Sequence, residues 1–209
     1  MSAAPGRIVI LNGAPRSGKS SIAAAMQASL PGIWLNLGVD VFMQTQPARI
    51  MPGIGLRPGG ERPDLEPHLP GLYAALYQSI AAHARQGFNV VADLGHHDHY
   101  SRSLGILPAC ARILAELPAL FVGVYCPIDV IMARRELAQP GREALYLKAS
   151  GDGVVPPPVQ RWQEAVHVPG IYDFKLDTSA MTPEQCVAEI AAALANPPVP
   201  SAFSKLAQI

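Results

Sequence analysis

Short apolar runs alternate with longer helical patterns along this chain. Five runs predict β-strands: RIVILNG (7–13), IWLNLGVD (33–40), FNVVADLG (88–95), LPALFVGVYC (117–126) and YDFKLDTS (172–179). Their apolar residues are mostly contiguous rather than alternating, which is typical of strands covered on both faces. Strands separated by helices predict right-handed β-α-β units, and therefore a parallel sheet in a three-layer α/β fold.

Helical patterns fill most of the remaining chain. An alanine-rich helix is predicted over 19–30, and a final helix over 182–196 begins with Thr182 as its N-cap. We expect residues 1–196 to form a single domain. Residues 197–209 are expected to be a loosely held C-terminal extension.

Two segments rich in proline and glycine interrupt this pattern, at 46–70 and at 139–158. Neither can be regular secondary structure throughout. Long loops in compact domains are usually functional or disordered, and the second segment is predicted to be a lid.

Composition narrows the class of protein. The 209 residues are 49% hydrophobic and 15% charged with a formal net charge of zero, which favours a large core and argues against a nucleic-acid partner. The three cysteines form no C-x-x-C pair, as expected for free thiols in a reducing compartment. No apolar run has the length of a secretory or transmembrane segment. These features predict a soluble, cytoplasmic protein with no membrane partner.

The stretch GAPRSGKS (13–20) fits the phosphate-loop pattern G-x-x-x-x-G-K-[ST] and lies between a predicted strand and a predicted helix. Its backbone N–H groups would bind the phosphates of ATP, Lys19 would reach the terminal phosphates, and Ser20 would ligate Mg²⁺. The side chain of Arg16 either touches phosphate or is solvated. The predicted nucleotide-binding residues here are Gly13, Ala14, Pro15, Arg16, Ser17, Gly18, Lys19, Ser20 and Ser21.

Asp40 follows the second apolar run, at the edge of the sheet where ligands of open α/β folds bind. A kinase that acts on an alcohol needs a carboxylate there to accept the hydroxyl proton. The alternative is that Asp40 caps a helix beginning near Val41. No NKxD-like guanine motif and no matching DxxG motif is present, which disfavours a GTPase.

Asp93 ends the third predicted strand. A strand-terminal acid at this place meets Mg²⁺ together with the phosphate-loop serine in many related folds. The alternative is a buried acid that caps the next turn.

Three arginines follow the fourth strand. Arg135 and Arg142 are predicted to neutralise the transferring phosphoryl group, with Arg142 favoured as the lid arginine. Arg134 and Arg135 form a charged helix end, so at least one of them could instead be a surface residue.

The stretch ADLGHHDHYSR (92–102) is rich in histidine. Three interpretations are open: a zinc site, a solvated polar loop, or a wall of the acceptor pocket that faces the cleft. In the last, which we favour, His97 or Asp98 hydrogen-bonds the substrate, and Asp93 lies beside it. Crowded histidines without a distant ligand make zinc the weakest of the three.

Four blocks, ILNGAPRSGKSSI, LGVDVFM, FVGVYCPIDVIMARRE and RWQEAVHVPGIYDFKLDTS, together resemble the chloramphenicol phosphotransferases, small kinases of the adenylate-kinase-like branch. The resemblance runs from about residue 7 to residue 195. It implies ATP-dependent phosphorylation of a primary hydroxyl on chloramphenicol or a similar amphipathic alcohol, with Asp40 as the base. It also implies a five-stranded parallel sheet in the order 2-3-1-4-5, a lid after the fourth strand, and Asp177, Thr178 and Ser179 near the adenine.

The acceptor side has further candidates. Val41, Phe42 and Met43 follow Asp40, and with Tyr73 and Tyr77 they could form an apolar acceptor pocket. The two tyrosines are at i, i+4, so they are equally expected to belong to the core.

Other functions remain open at this point. They are a kinase of a sugar or of a shikimate-like acid, a sugar-nucleotide kinase of the zeta-toxin type, and a nucleotide-binding switch without acceptor chemistry. An acidic substrate would require arginines near Asp40, and only Arg49, Arg57 and Arg62 are available, all in the irregular 46–70 segment.

Overall fold

Five parallel strands form one sheet in the computed structural model, which describes residues 4–137 and 154–209. The order β2-β3-β1-β4-β5 confirms the predicted topology and the P-loop fold class. The strands are β1 (Ile8–Asn12), β2 (Trp34–Asn36), β3 (Asn89–Leu94), β4 (Ala119–Tyr125) and β5 (Phe174–Asp177).

Helices cover both faces of this sheet. They are α1 (Lys19–Ser29), α2 (Val39–Met43), α3 (Leu69–Arg85), α4 (Ile106–Leu114), α5 (Ile128–Glu136), α6 (Pro157–Ala165), α7 (Pro183–Ala195) and α8 (Ala202–Leu206). Short 3-10 turns occupy Ala48–Ile50, Gly53–Gly55 and Glu66–His68. None of the described helices has the length and apolar character needed to cross a membrane.

Successive side chains of β1 point to opposite faces of the sheet, which explains its unbroken apolar sequence. Ile8 and Ile10 pack in one layer with α3, α4 and α8, whereas Val9 and Leu11 pack in the other with α1 and α7. All five residues of β1 are buried, so the strand that leads into the phosphate loop is the most protected part of the sheet.

The final long helix begins as predicted. Thr182 is the N-cap of α7, its Oγ1 accepts a hydrogen bond from the Gln185 amide, and the Gln185 side chain accepts one from the Thr182 amide. This reciprocal capping box satisfies two backbone donors at the helix start.

The second strand is shorter than predicted. β2 ends at Asn36, whose side-chain oxygen accepts a hydrogen bond of 3.0 Å from the Gly38 amide and turns the chain. Helix α2 then begins at Val39 with Gly38 as its N-cap. Asp40 therefore lies in the first turn of a helix instead of at a strand end, and the interpretation of Asp40 as a helix cap is wrong.

The C-terminal segment is not loosely held, contrary to prediction. Ala202, Phe203 and Leu206 of α8 are fully buried in the layer that contains α3 and α4. The ring of Phe203 lies 5.1 Å from that of Phe121 on β4, and Asp173 accepts a hydrogen bond from the Ala202 amide. The segment therefore completes the core.

The 46–70 segment is irregular, as predicted, yet its apolar residues are anchored. Ile54, Leu56 and Leu65 are buried. Tyr73 is also buried, and its hydroxyl donates a hydrogen bond of 2.9 Å to the Ile54 carbonyl. Tyr73 and Tyr77 belong to the core, which decides between the two alternatives left open for them.

Candidate active site

The phosphate loop connects β1 to α1 at the carboxyl edge of the sheet. Gly18 (φ 97°) is the N-cap of α1, and Arg16 also has positive φ (72°). At Gly13 an added Cβ would lie 2.3 Å from the Val124 carbonyl oxygen, so the loop passes too close to β4 for any side chain there. The sequence pattern therefore forms a cradle of backbone amides at a helix N-terminus, which suits phosphate.

Lys19 is folded back along the loop. Its Nζ donates hydrogen bonds of 2.8 and 2.9 Å to the carbonyl oxygens of Gly13 and Ala14. Burial lowers the pKa of Lys19 to about 8, and the negative charges of Asp93 and Asp40 oppose that shift. Both carboxylates are thus within electrostatic reach of this ammonium group.

Ser20 and Asp93 form a direct pair. The Ser20 hydroxyl donates a hydrogen bond of 2.7 Å to Asp93 Oδ2. The other carboxylate oxygen of Asp93 faces Gly38, where an added Cβ would lie 1.8 Å from it. A hydroxyl beside a carboxylate is a donor set that fits Mg²⁺. Asp93 is half-buried rather than buried, and its carboxylate pairs with Ser20 instead of an amide of the turn that follows β3.

Asp40 faces the same cavity as this pair. The helical register of α2 directs Val39, Asp40 and Met43 toward the cavity, while Phe42 packs against the core and Val41 is 44% exposed. The structure therefore brings Asp40 to the phosphate loop but does not bring Val41 or Phe42 to the cavity wall.

The cavity has a volume of about 540 Å³ and two kinds of lining. The phosphate loop, Asp40 and Asp93 form one part of this lining, which is polar. The remaining wall combines segment 46–68 with α6, which contributes Trp162 and Val159. The residues of segment 46–68 on this wall are Pro52, Ile54, Gly55, Leu56, Arg57, Glu61 and Arg62. Sequence reasoning missed Trp162, although it lies within one of the four family-like blocks.

The predicted arginines have different positions. Arg135 is buried and lines the cavity, so it is not a surface residue. Arg134 instead donates to the Thr178 carbonyl (2.7 Å) and to the Arg16 carbonyl (3.3 Å), which ties the end of β5 to the phosphate loop. The Arg16 side chain, expected to be either solvated or on phosphate, donates to the Arg134 and Leu137 carbonyls at the end of α5. Arg142 and most of the predicted lid lie outside the described residues.

A second cavity of about 350 Å³ lies on the other side of the loop. Thr178 lines it together with Ser21, Arg134, Met181 and Cys186. The Thr178 hydroxyl donates a hydrogen bond of 2.7 Å to the Ser17 carbonyl. Asp177 and Ser179 are exposed and hydrogen-bonded to each other, so only Thr178 of the three residues predicted near the adenine lines this cavity.

The expectation that the histidine-rich loop faces the cleft is wrong for His96 and His97, which are 1% and 4% exposed. His96 Nε2 lies 2.8 Å from the Tyr77 hydroxyl, and the His96 amide donates to Asn12 at the end of β1. His97 Nε2 lies 3.0 Å from the Leu56 carbonyl, and its ring meets the edge of Trp162 at 5.0 Å. The His97 ring therefore supports the cavity wall from behind, whereas the His96 ring packs in the core beside Tyr73 and Tyr77.

Asp98 closes a turn. Its carboxylate accepts hydrogen bonds from the Ser103 hydroxyl and from the Leu104 and Gly105 amides, just before α4. Neither His97 nor Asp98 is among the residues that line the cavity. Contact of either with a substrate stays a prediction, and this placement argues against it. In the part of the chain that the structure describes, no group of three or more His, Cys, Asp or Glu side chains could hold a metal ion.

The buried histidines predict a loss of stability in mild acid. Burial lowers the pKa of His96 to about 3 and that of His97 to about 4, from an ordinary value of 6.5, and it also lowers the pKa of the half-buried His167 to about 4. Between pH 6.5 and about 4 the unfolded chain binds more protons than the folded one, so the free energy of unfolding falls as pH falls. We expect a loss of about 2 kcal/mol per histidine between pH 7 and pH 5, measured by urea unfolding.

The slope of this pH dependence identifies its source. In the variant His97→Gln, the free energy of unfolding should fall less steeply as pH falls, by the contribution of one histidine. The variant His99→Gln, changed at an exposed position, should show the wild-type slope. The lowered pKa values of Asp64, Asp177 and Glu184 affect stability only below about pH 4.5, outside the measured range. An unchanged slope in His97→Gln would contradict the assignment.

The family of chloramphenicol phosphotransferase-like proteins matches residues 6–195. Two proteins of Mycobacterium tuberculosis, from strains CDC 1551 and H37Rv, are provisionally named O-phosphotransferases. Each is 27% identical to this chain over 96% of it and 88% of its own length.

Solved structures share the fold at lower identity. A sugar kinase from Janibacter sp. HTCC2649 is 19% identical with a TM-score of 0.61, covering 94% of this chain and 99% of its own. The APS kinase of Mycobacterium tuberculosis, in complex with AMPPNP and APS, is 18% identical with a TM-score of 0.57, covering 93% and 100%.

Proposed function

Since the chain belongs to the chloramphenicol phosphotransferase-like family, we propose that it transfers the γ-phosphoryl group of ATP to a hydroxyl of a small amphipathic alcohol, of which chloramphenicol is one example. An ATP-dependent phosphotransferase of this kind needs a nucleotide cradle, a base and an acceptor pocket that share one space. The observation that carries the proposal is that Asp40, Lys19 and Asp93 line one cavity with an apolar wall.

In this proposal Asp40 is the general base. Its carboxylate orients the acceptor hydroxyl and takes the hydroxyl proton as the acceptor oxygen bonds to the γ-phosphorus. The bond between that phosphorus and the β–γ bridging oxygen breaks, and ADP leaves with the electron pair. Lys19 and Arg135 neutralise the charge on the phosphoryl oxygens.

Ser20 and Asp93 would hold Mg²⁺, which they fit through a hydroxyl and a carboxylate oxygen. The ion would supply charge neutralisation on the phosphates when bound. Thr178 and Arg134 brace the loop from the side of the second cavity, which is where the base of the nucleotide is proposed to bind.

The proposal is tested by ADP release in the presence of a panel of alcohols that includes chloramphenicol. We expect at least one amphipathic alcohol to stimulate ADP release above the rate without acceptor, with one phosphorylated product formed per ADP. A nucleotide-dependent switch would bind ATP and show no stimulation by any alcohol. That result would reject the kinase proposal.

Gly38 gives a prediction for Ser20 and Asp93, the two residues proposed to hold Mg²⁺. An alanine Cβ would collide with Asp93 Oδ1, so the carboxylate must turn away from its present position beside Ser20. We expect Gly38→Ala to lower turnover about tenfold and to raise the Mg²⁺ concentration that gives half-maximal turnover, a loss on the scale of about one charge-assisted hydrogen bond. The matched control is Gly71→Ala, where an added Cβ meets nothing within 4 Å. An unchanged Mg²⁺ dependence in a folded Gly38→Ala protein would refute the role of this contact.

A further inference from the structure

Arg57 is a half-buried cation on the wall of the cavity that contains Asp40. Among residues 4–137 and 154–209, no side chain or backbone carbonyl makes a hydrogen bond or ion pair with its guanidinium group. No nitrogen of Arg57 is buried without a partner, so its donors face solvent, and an anion that replaces that water gains strong, charge-assisted hydrogen bonds.

The neighbouring charged side chains on the same wall already have partners of opposite charge. Arg62 donates two hydrogen bonds, of 2.9 and 2.8 Å, to the Asp64 carboxylate. Glu61 lies 3.4 Å from the guanidinium of Arg161. Of the charged side chains that segment 46–68 contributes to the cavity, Arg57 therefore carries the one uncompensated charge within the described residues.

The backbone around Arg57 is held on both sides. The Leu56 carbonyl accepts a hydrogen bond from His97 Nε2, and the Gly59 amide donates one of 2.8 Å to the His99 carbonyl. Because burial lowers the pKa of His97 to about 4, its ring is neutral at pH 7. Nε2–H then donates to Leu56, while Nδ1 accepts from the His99 amide at 3.2 Å. The backbone at Arg57 is thus held in place before any ligand arrives, which limits the part of the entropic cost of binding that comes from ordering this segment.

The cavity that Arg57 lines also has apolar walls. Their residues are Val39, which is the first residue of α2, and Met43, Ile54, Leu56 and Trp162. A ligand that uses this whole wall has an apolar body, an anionic end at Arg57 and a hydroxyl at Asp40.

We propose that the acceptor this protein prefers is an amphipathic alcohol that carries a carboxylate, which chloramphenicol lacks, and that Arg57 is the residue that selects it. A carboxylate, with one negative charge, matches the single uncompensated charge of Arg57, whereas a phosphate dianion would bring a second charge toward Asp40 and Asp93. The inference rests on the proposed function for the position of the hydroxyl, but acid binding at Arg57 can be measured without turnover.

The test compares matched acids and amides as acceptors. The probes are 4-(hydroxymethyl)benzoate and 4-(hydroxymethyl)cyclohexanecarboxylate, their primary amides, and 4-(hydroxymethyl)phenyl phosphate. We expect kcat/KM for each acid to exceed that for its amide at least tenfold in the wild-type protein. Arg57→Gln should remove this preference by lowering kcat/KM for the acids, with the amides and the KM for ATP unchanged.

Arg49→Gln is the matched control, because Arg49 is an exposed arginine on the same segment and does not line the cavity. It should keep the preference for acids. Arg57→Lys keeps the charge but loses the planar guanidinium group, so it should retain part of the preference for acids. Thermal unfolding checks that each variant protein is folded.

Several outcomes overturn the carboxylate assignment. Equal kcat/KM values of the wild-type protein for acids and amides would reject the carboxylate assignment. Preference for the phosphate ester over the acids would replace the carboxylate by a phosphate. An Arg57→Gln protein with a raised KM for ATP and equal losses for acids and amides would place Arg57 on the nucleotide.

Failure of the proposed function has a different signature. If no alcohol of any charge is phosphorylated, the kinase proposal is rejected, and calorimetric binding of the acids and amides then decides the acid site. If the wild-type protein binds the acids and Arg57→Gln does not, the acid site at Arg57 is supported. If the two proteins bind the acids equally, the site is refuted.

Discussion

We expect Asp40→Asn to lower the turnover of any acceptor alcohol by about 10²–10⁴-fold and to leave ATP affinity unchanged. Asparagine has the size of aspartate and keeps hydrogen bonding to the hydroxyl, but its amide cannot take the proton. Asp40 lies in the first turn of α2, and the N-cap of this helix is Gly38. Single-turnover measurement of phosphorylated product gives the loss directly.

The control for this prediction is Asp129→Asn. Asp129 also lies in the first turn of a helix, α5, but it is exposed and does not line the cavity. Its replacement should leave turnover within about twofold, since surface substitutions of this kind have small effects. Turnover in Asp40→Asn within tenfold of the wild-type rate would reject Asp40 as the base, and retained ATP binding would then separate that result from a damaged phosphate loop.

Lys19→Met should weaken ATP binding by about a hundredfold or more, because it removes the ammonium group nearest the phosphate cradle. Hydrogen bonds to charged groups contribute about 1.5–3 kcal/mol each, and each 1.4 kcal/mol corresponds to a factor of ten in affinity. Fluorescence or calorimetric titration with ATP measures the change. Binding of ATP by Lys19→Met with wild-type affinity would contradict the assigned role.

The lowered pKa of Lys19, about 8, adds a pH dependence to the same site. In the free protein the ammonium group loses its proton as pH rises through 8, and phosphate binding requires the charged form. The affinity of the wild-type protein for ATP should therefore fall roughly tenfold per pH unit above 8, with proton uptake on binding. Lys19→Arg, which stays charged, should show a flat profile over the same range. An equally flat wild-type profile would refute the lowered pKa.

Sequence pattern predicted the parts of this protein that are set locally. The phosphate loop is eight contiguous residues between a strand and a helix, so its backbone geometry follows from the spacing of Gly13, Gly18 and Lys19. The parallel sheet follows from unbroken apolar runs, since a strand such as β1 must be covered on both faces. The N-cap role predicted for Thr182 is also local, since its partner Gln185 is only three residues away.

Errors arose where local signals competed with packing. The apolar residues 37–39 extend the second strand in the sequence, but the Asn36 turn and the contact of Gly38 with Asp93 end it. The C-terminal tail is short and rich in proline, yet Phe203 and Leu206 fill space beside Phe121. The histidine-rich loop was predicted to face the acceptor cleft, whereas His96 and His97 are buried and hydrogen-bonded, and only His97 packs behind the cavity wall.

By itself, the sequence determined the sheet, the phosphate loop and the family, because each depends on residues that are near one another in the chain or on the pattern of a whole strand. Only the tertiary structure decided the acceptor side. Leu56 and His97 are 41 residues apart, and their hydrogen bond, together with the contact of the His97 ring with Trp162, holds the backbone that carries Arg57 at the cavity. A charge in a segment rich in proline and glycine gains a defined position only when distant segments fix its backbone, and no local pattern encodes that packing.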